Sequence, residues 1–113
     1  ITRGFDKCLV LYPLEDWSKV EEQLSKLSSI RGRHRSFVRS VTRYATSVQY
    51  DGQGRIQIPD SLLGYSGIKK EVAVIGMINK IELWDPNIIS KIDASEEGLD
   101  DNSFDDLANE INF

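Results

Sequence analysis

The sequence of 113 residues contains 40% hydrophobic and 28% charged residues and carries a net charge of −4, a balance typical of one soluble globular domain with a modest core. Its longest apolar runs, residues 8–12 and 72–75, have the length of strands and fall far short of a membrane span, and no signal-peptide pattern opens the chain. A cytosolic protein is therefore expected. The single cysteine, Cys8, excludes an internal disulfide and is predicted to be a small buried hydrophobic residue.

The charges are distributed unevenly along the chain. Residues 1–70 contain 12 basic and 7 acidic side chains, a net charge of +5, whereas residues 71–113 contain 2 and 11, a net charge of −9. A surface that meets an anion is therefore expected in the first part of the chain and not in the second.

Two strands and a helix are predicted for residues 1–30. Residues 1–4 and 8–12 are expected to be strands around a turn at 5–7, and Pro13 ends the second strand and suits the first turn of a helix. The helix is predicted from an apolar stripe at spacings of three and four, which is expected to pack on a core. Its members are Leu14, Trp17, Val20, Leu24 and Leu27.

A basic helix is predicted for residues 31–43, with Phe37, Val41 and Tyr44 on one face. Four arginines recur at every fourth position and form what we call the arginine ridge: Arg31, Arg35, Arg39 and Arg43. Like charges at this spacing repel each other, so an anion or an acidic partner would compensate the ridge, although a solvated face also explains it. His34 has no second histidine and no Cys/His cluster near it, so no metal site is predicted.

A β-hairpin is predicted around residues 51–55. Val48 and Tyr50 alternate with polar residues before the turn, as Ile56 and Ile58 do after it. Gly52 and Gly54 are expected to take positive φ, and Asp51 is expected to accept hydrogen bonds from the turn amides. The other face of the ribbon is polar and consists of Ser47, Gln49, Arg55 and Gln57. Its arginine has the chemistry to contact phosphates or base edges, but an Asp51–Arg55 pair that only closes the turn is also compatible with the pattern.

The remainder of the chain predicts a short helix, a second strand pair and two further helices. Asp60 or Ser61 is expected to cap a helix at 62–65 that Gly67 closes. Strands are predicted at 72–76 and 81–84, and Asp85-Pro86 is expected to start a helix. An acidic tail follows, in which Ser103 is expected to cap a short helix that docks on a partner through Phe104, Leu107, Ala108 and Ile111.

An internal repeat relates the two strand pairs. A shift of 72 positions places Gly4 on Gly76, Leu9 on Ile81, Leu11 on Leu83 and Tyr12 on Trp84 without a gap. The same shift carries the 51–55 turn to a position before Ile1. The pattern therefore predicts a tandem pair of units in which the first lacks its hairpin, and the chain is expected to begin after a missing or removed segment.

The repeat and the D-x-x-G-R turn together resemble the MraZ family of bacterial transcriptional regulators, whose two repeats each carry a D-x-x-x-R hairpin in an AbrB-like fold. The matching stretches are residues 2–17, 37–39, 51–59 and 70–84. The resemblance implies an α+β fold: a small swapped-hairpin (double-split) β-barrel of AbrB/MraZ type, with tandem pseudo-two-fold repeats and short helices. Residues 1–30 would be the remainder of the first repeat, 31–92 the second repeat with the basic helix, and 93–113 the acidic tail.

The resemblance also implies a function. It predicts a nucleoid-associated repressor that forms ring-like homo-oligomers and binds double-stranded DNA sequence-specifically at the division and cell-wall gene cluster. Arg55 matches the family's DNA-contacting arginine, Asp51 its turn-fixing acid and Gly54 the glycine between them. The expected DNA-binding set also includes Gln53, Gln57, Arg39 and Arg43. No cofactor, metal, small-molecule substrate or membrane partner is expected.

Two departures from the family pattern and two other functions bear on this prediction. Tyr44 precedes Ala45 where the family often has glycine, and the first unit's D-x-x-x-R is absent. A protein-binding module of the antitoxin type would use the same fold without a DNA target of its own. An enzyme is not predicted, because the sequence has no Ser/His/Asp or Cys/His arrangement and no phosphate loop.

Overall fold

The computed structural model describes residues 1–95 and 98–111, and its centre is a four-stranded antiparallel sheet. The strands are β1 (Thr2–Arg3), β2 (Leu9–Leu11), β3 (Ala73–Gly76) and β4 (Ile81–Trp84), and they lie in the order β1-β2-β4-β3. Both predicted strand pairs are therefore confirmed, and they share one sheet because β2 pairs with β4. This sheet is open within the described residues, so the closed barrel stays a prediction.

The register between β2 and β4 relates the two predicted units. Val10 lies opposite Glu82, which is the residue found 72 positions later. Leu9 lies opposite Leu83, the repeat equivalent of Leu11, and Leu11 lies opposite Ile81, the repeat equivalent of Leu9. This is the register that a two-fold relation between the two predicted units requires, and the tandem repeat itself stays a prediction.

The core consists of two small clusters, one on each face of the sheet, because side chains alternate along a strand. On one face Cys8, Val10 and Trp84 are buried beneath the isoleucines of helix α4 (Pro86–Asp93). On the other face Leu9 and Leu83 pack with Leu62 of helix α3 (Asp60–Ser66). The prediction that Cys8 is a buried hydrophobic residue is confirmed, since none of its surface is exposed.

Helices α1 (Leu14–Ser25) and α2 (Gly32–Tyr44) form where they were predicted, but no residue of either is buried. Leu14 is 73% exposed, so the prediction that the whole α1 stripe packs in the core is wrong. Trp17, Val20, Leu24 and Leu27 are half-buried, and with side chains of α2 they line an open groove of about 650 Å³ above β2.

The predicted start of helix α4 and end of helix α3 are confirmed, whereas the predicted N-cap of α3 is wrong. The Asp85 carboxylate accepts a hydrogen bond from the Ile88 N–H at 3.2 Å, as predicted. Helix α3 starts directly after Pro59, and neither Asp60 nor Ser61 caps it, because both lie inside the helix. The predicted end of α3 is confirmed, since Gly67 adopts the left-handed conformation with φ of +72°.

Helix α5 (Asp101–Glu110) forms within the acidic tail, with a different cap from the one predicted. The Asp100 carboxylate accepts a hydrogen bond from the Ser103 N–H at 2.7 Å, so Ser103 is the third residue of the helix and not its cap. Residues 96–97 and 112–113 of the predicted tail lie outside the described residues. Within 1–95 and 98–111 no helix is long and apolar enough to cross a membrane.

Candidate nucleic-acid interface

Residues 51–55 form a tight turn around one carboxylate. Asp51 Oδ1 accepts hydrogen bonds from the backbone N–H groups of Gln53 at 2.8 Å and Arg55 at 2.9 Å, and Oδ2 accepts from Arg55 Nε at 2.8 Å. The main chain closes the same turn, because the Asp51 N–H donates to the Arg55 carbonyl at 2.9 Å and the Gly54 N–H to the Asp51 carbonyl at 3.0 Å. The predicted turn and its Asx-type hydrogen bonds are confirmed.

The two glycines of the turn differ in conformation. Gly54 has φ of +76°, a value that glycine adopts without steric cost. Gly52 is not among the positive-φ residues of the described chain, so that part of the prediction is wrong. A single left-handed residue is sufficient here because the Asp51 carboxylate already binds the amides on both sides of it.

The strands predicted on either side of the turn do not form in the described structure. No strand lies between residues 45 and 59, although Ile56 and Ile58 are half-buried and Tyr50 is 68% exposed. Upstream, the Thr46 N–H donates to the Ile1 carbonyl at 2.9 Å and attaches the segment to the end of β1. The described residues provide no third strand beside the predicted hairpin, and a lone two-stranded hairpin is marginal in water.

The Arg55 guanidinium is oriented by Asp51 and remains accessible. Its side chain is 70% exposed, and the bond from Nε is its only hydrogen bond among the described residues. The four Nη hydrogens therefore face solvent as a planar fork, which is the arrangement that contacts phosphate or guanine in a bidentate manner. Gln53 and Gln57 lie beside it and are exposed as well.

The hydrogen bonds of the turn favour the ionised form of the Asp51 carboxyl. The backbone N–H groups of Arg55 and Gln53 hold the pKa of the Asp51 carboxyl below its ordinary value, and the Arg55 side chain adds to this effect. Asp51 is therefore charged at neutral pH and keeps the guanidinium in place through a charge-assisted hydrogen bond.

The structure places the arginine ridge on the solvent side of α2, and Arg35 is its member that hydrogen-bonds internally. Arg39 and Arg43 are exposed, and neither lies within 4 Å of a carboxylate of the described residues. Arg35 Nη1 donates to the carbonyls of Ser29 and Ile30, so this side chain closes the connection between α1 and α2. Among the described residues no hydrogen bond or ion pair joins Arg39 or Arg43 to the 51–55 turn, so the structure does not bring the two parts of the predicted site together.

His34 has a structural contact in the same connection. Its Nδ1 accepts a hydrogen bond from the Ser28 N–H at 3.0 Å. Among the described residues no group of three or more His, Cys, Asp or Glu side chains could hold a metal ion.

An arginine that the sequence did not single out anchors the end of α2. The Arg3 guanidinium lies 4.4 Å from the centroid of the Tyr65 ring and 5.8 Å from that of Tyr44, and its Nη2 donates to the Tyr65 hydroxyl at 3.3 Å. The Arg43 guanidinium lies 5.7 Å from the centroid of the Tyr44 ring. These cation–π contacts join β1, α2 and α3. The only sequence signal was an arginine in a predicted strand, and local spacing does not reveal which aromatic rings it meets.

Comparison with known proteins adds the following similarities. A family model described as "MraZ protein, putative antitoxin-like" matches residues 1–40 and 42–111. The "Transcriptional regulator MraZ" of Halothermothrix orenii is 47% identical over 83 residues, which are 74% of this chain and 58% of that protein. The protein of the same name from Finegoldia magna is 42% identical over 114 aligned residues, covering 99% of this chain and 76% of its own length. The chain thus spans little more than half of the first relative.

Proposed function

This chain belongs to the MraZ family, and from that premise we propose that it is a cytoplasmic, nucleoid-associated transcriptional repressor. In this proposal it binds double-stranded DNA sequence-specifically at the division and cell-wall gene cluster. The relatives' name supports the regulatory role, and the 51–55 turn supports the DNA contact.

The observation that carries the proposal is the orientation of Arg55. Asp51 engages Nε and leaves both Nη groups accessible on a 70% exposed side chain. A bidentate contact to guanine or phosphate requires such a fork, and a guanidinium that is already oriented loses less conformational entropy on binding. Gln53 and Gln57 add amide groups that can bond base edges or phosphates on either side.

In the proposal the exposed arginines of α2 make a second set of DNA contacts, separate from those of the 51–55 turn. Arg39 and Arg43 have no acidic partner in the described chain, so DNA phosphates can take that place. Contacts of this kind fix the orientation of a protein on DNA and make its affinity depend on salt, because bound counterions are released.

The repeat supports the proposed architecture. Residues 1–30 and 31–92 contribute β2 and β4 to one sheet, and these strands meet at the Val10–Glu82 pair. A pseudo-two-fold barrel needs such a register, so we propose that a second hairpin completes the barrel and that the protein assembles into ring-like oligomers. In the proposed organisation of the chain, the acidic segment 93–113 is a third unit that follows the two repeats.

A second candidate function rests on the description of the matching family model. Its words "antitoxin-like" favour a protein-binding module that uses the same turn on a protein partner. Such a module would not bind DNA, and therefore it would show no salt-dependent affinity for a duplex.

A gel-shift titration at fixed salt tests the proposal, with a promoter duplex of the division and cell-wall cluster and a scrambled duplex of equal length. Arg55→Ala should weaken specific binding by about 1–3 kcal/mol, or roughly 5- to 150-fold in Kd, with an unchanged circular dichroism spectrum. Arg33→Ala removes the same charge outside the expected DNA-binding set and serves as the matched control. Equal Kd values for Arg55→Ala and the unaltered protein would contradict the proposed contact, and absence of binding by the unaltered protein would favour the protein-binding module.

A further inference from the structure

Two helices of the described chain carry opposite charges that no ion pair neutralises. On α2, Arg39 and Arg43 of the arginine ridge are exposed and have no carboxylate within 4 Å. On α5, Asp106 and Glu110 are exposed and have no cation within 4 Å in the described residues. None of the described helices and strands packs extensively against α5.

The charges on the two helices have the same spacing. Arg39 and Arg43 are four positions apart, as are Asp106 and Glu110, so both pairs are separated by about 6 Å along a helix axis. Helices that lie side by side therefore bring both arginines opposite both acids at once. Leu107, which is 49% exposed, follows Asp106 and adds apolar area at the edge of such a contact.

We propose that the arginine ridge of one copy of this chain is the docking surface for helix α5 of a second copy. The charge distribution favours this occupant, because residues 1–70 carry a net +5 and residues 71–113 a net −9. The contact joins two different surfaces, the arginine ridge of one copy and α5 of the next, so it is head-to-tail and can be repeated from copy to copy.

The contact does not depend on the proposed DNA binding, but it competes with it. Arg39 and Arg43 cannot bind the α5 acids of a second copy and DNA phosphates at the same time. Single exposed ion pairs are weak, so the contact requires both pairs together and weakens when salt screens them. Self-association through this surface should therefore be strongest at low ionic strength.

The test is a charge-swap complementation measured by sedimentation velocity and light scattering of the whole chain. One variant carries Arg39→Glu and Arg43→Glu, and the other carries Asp106→Arg and Glu110→Arg, where new cations near a helix C-terminus are compatible with the helix. Each variant alone should show at least a tenfold weaker self-association than the unaltered chain at low salt. An equimolar mixture should recover it, because α5 of the first variant complements the ridge of the second.

Controls separate this contact from misfolding and from general charge effects. Lys69→Glu with Lys70→Glu changes the net charge by the same −4 as Arg39→Glu with Arg43→Glu, at exposed residues outside the contact, and should leave self-association unchanged. Circular dichroism confirms that each variant is folded. The proposal is wrong if the unaltered chain stays monomeric at low salt at every concentration, if either variant associates like the unaltered chain, or if the mixture of variants does not recover. Loss of DNA affinity alone in the Arg39→Glu, Arg43→Glu variant would assign the ridge to DNA and not to a second copy.

Discussion

Leu62 provides the sharpest test of how α3 and the two central strands hold together. Its side chain is fully buried and packs with Leu9 of β2 and Leu83 of β4. Leu62→Ala removes three carbon atoms, and the transfer free energy of about 0.8 kcal/mol for each gives roughly 2.4 kcal/mol. The cavity left behind raises the expected loss of unfolding free energy to about 2.5–5 kcal/mol, since a packed interior relaxes only partly.

Urea unfolding followed by tryptophan fluorescence measures this loss, and the midpoint should fall by on the order of 1 M or more. Leu14→Ala is the matched control, because the same three atoms are removed from a side chain that is 73% exposed. That variant should change the unfolding free energy by less than about 0.5 kcal/mol. Similar values for the two variants would refute the reasoning, since Leu62 would then contribute no more to a core than an exposed leucine.

Two further predictions concern titratable groups. The folded pKa of Asp51 lies below its ordinary value of 3.8, so the stabilisation of the turn by the ionised carboxylate is present above that pH and is lost as the pH falls through the lowered pKa. In an NMR titration the amide signals of Gln53 and Arg55 should therefore move together below about pH 4 and stay constant in Asp51→Asn, and independent movement would contradict the shared carboxylate. Burial, with a smaller contribution from Glu82, raises the pKa of the Cys8 thiol from 9.0 to about 12. The free energy of unfolding should therefore fall as the pH rises above 9, because the thiol ionises in the unfolded chain before it ionises in the folded one. At pH 8 a disulfide reagent should modify Cys8 only as fast as the chain unfolds. Rapid labelling of the native protein would contradict this prediction, since it would show that the thiol is accessible.

Features that depend on neighbouring residues were predictable from the sequence. Asp85 caps α4 because its carboxylate accepts a hydrogen bond from the nearby Ile88 N–H. Gly67 ends α3 because a residue without a Cβ adopts positive φ freely, and its N–H donates to the Leu63 carbonyl. The Asp51 turn follows the same rule, since all of its hydrogen bonds lie within five residues. Two predictions were wrong at places where two residues suit one role. Of the two turn glycines only Gly54 has positive φ, and Asp100 caps α5 instead of Ser103.

Features that depend on distant contacts were not predictable in the same way. The Leu14 stripe has the periodicity of a core helix, but periodicity does not say how much of a stripe another element covers. Arg35 belongs to the arginine ridge by spacing, and only the folded connection shows that it donates to the carbonyls of Ser29 and Ile30. The residues on both sides of the 51–55 turn alternate as they would in a hairpin, yet a lone hairpin is marginal in water and needs a third strand beside it. The local sequence does not show whether such a strand is present.

The geometry of the Asp51–Arg55 pair makes turn closure and a DNA contact by Arg55 compatible with each other. From the sequence, turn closure and DNA contact are alternatives as long as the guanidinium is given a single partner. In the structure closure engages only Nε, and the Nη fork stays exposed. If Arg55 makes the proposed DNA contact, closure of the turn favours that contact, because the side chain is ordered before DNA binds and the entropic cost of that ordering falls on folding. An Asp51 variant should therefore weaken DNA binding even though Asp51 itself, being anionic, would be repelled by phosphate.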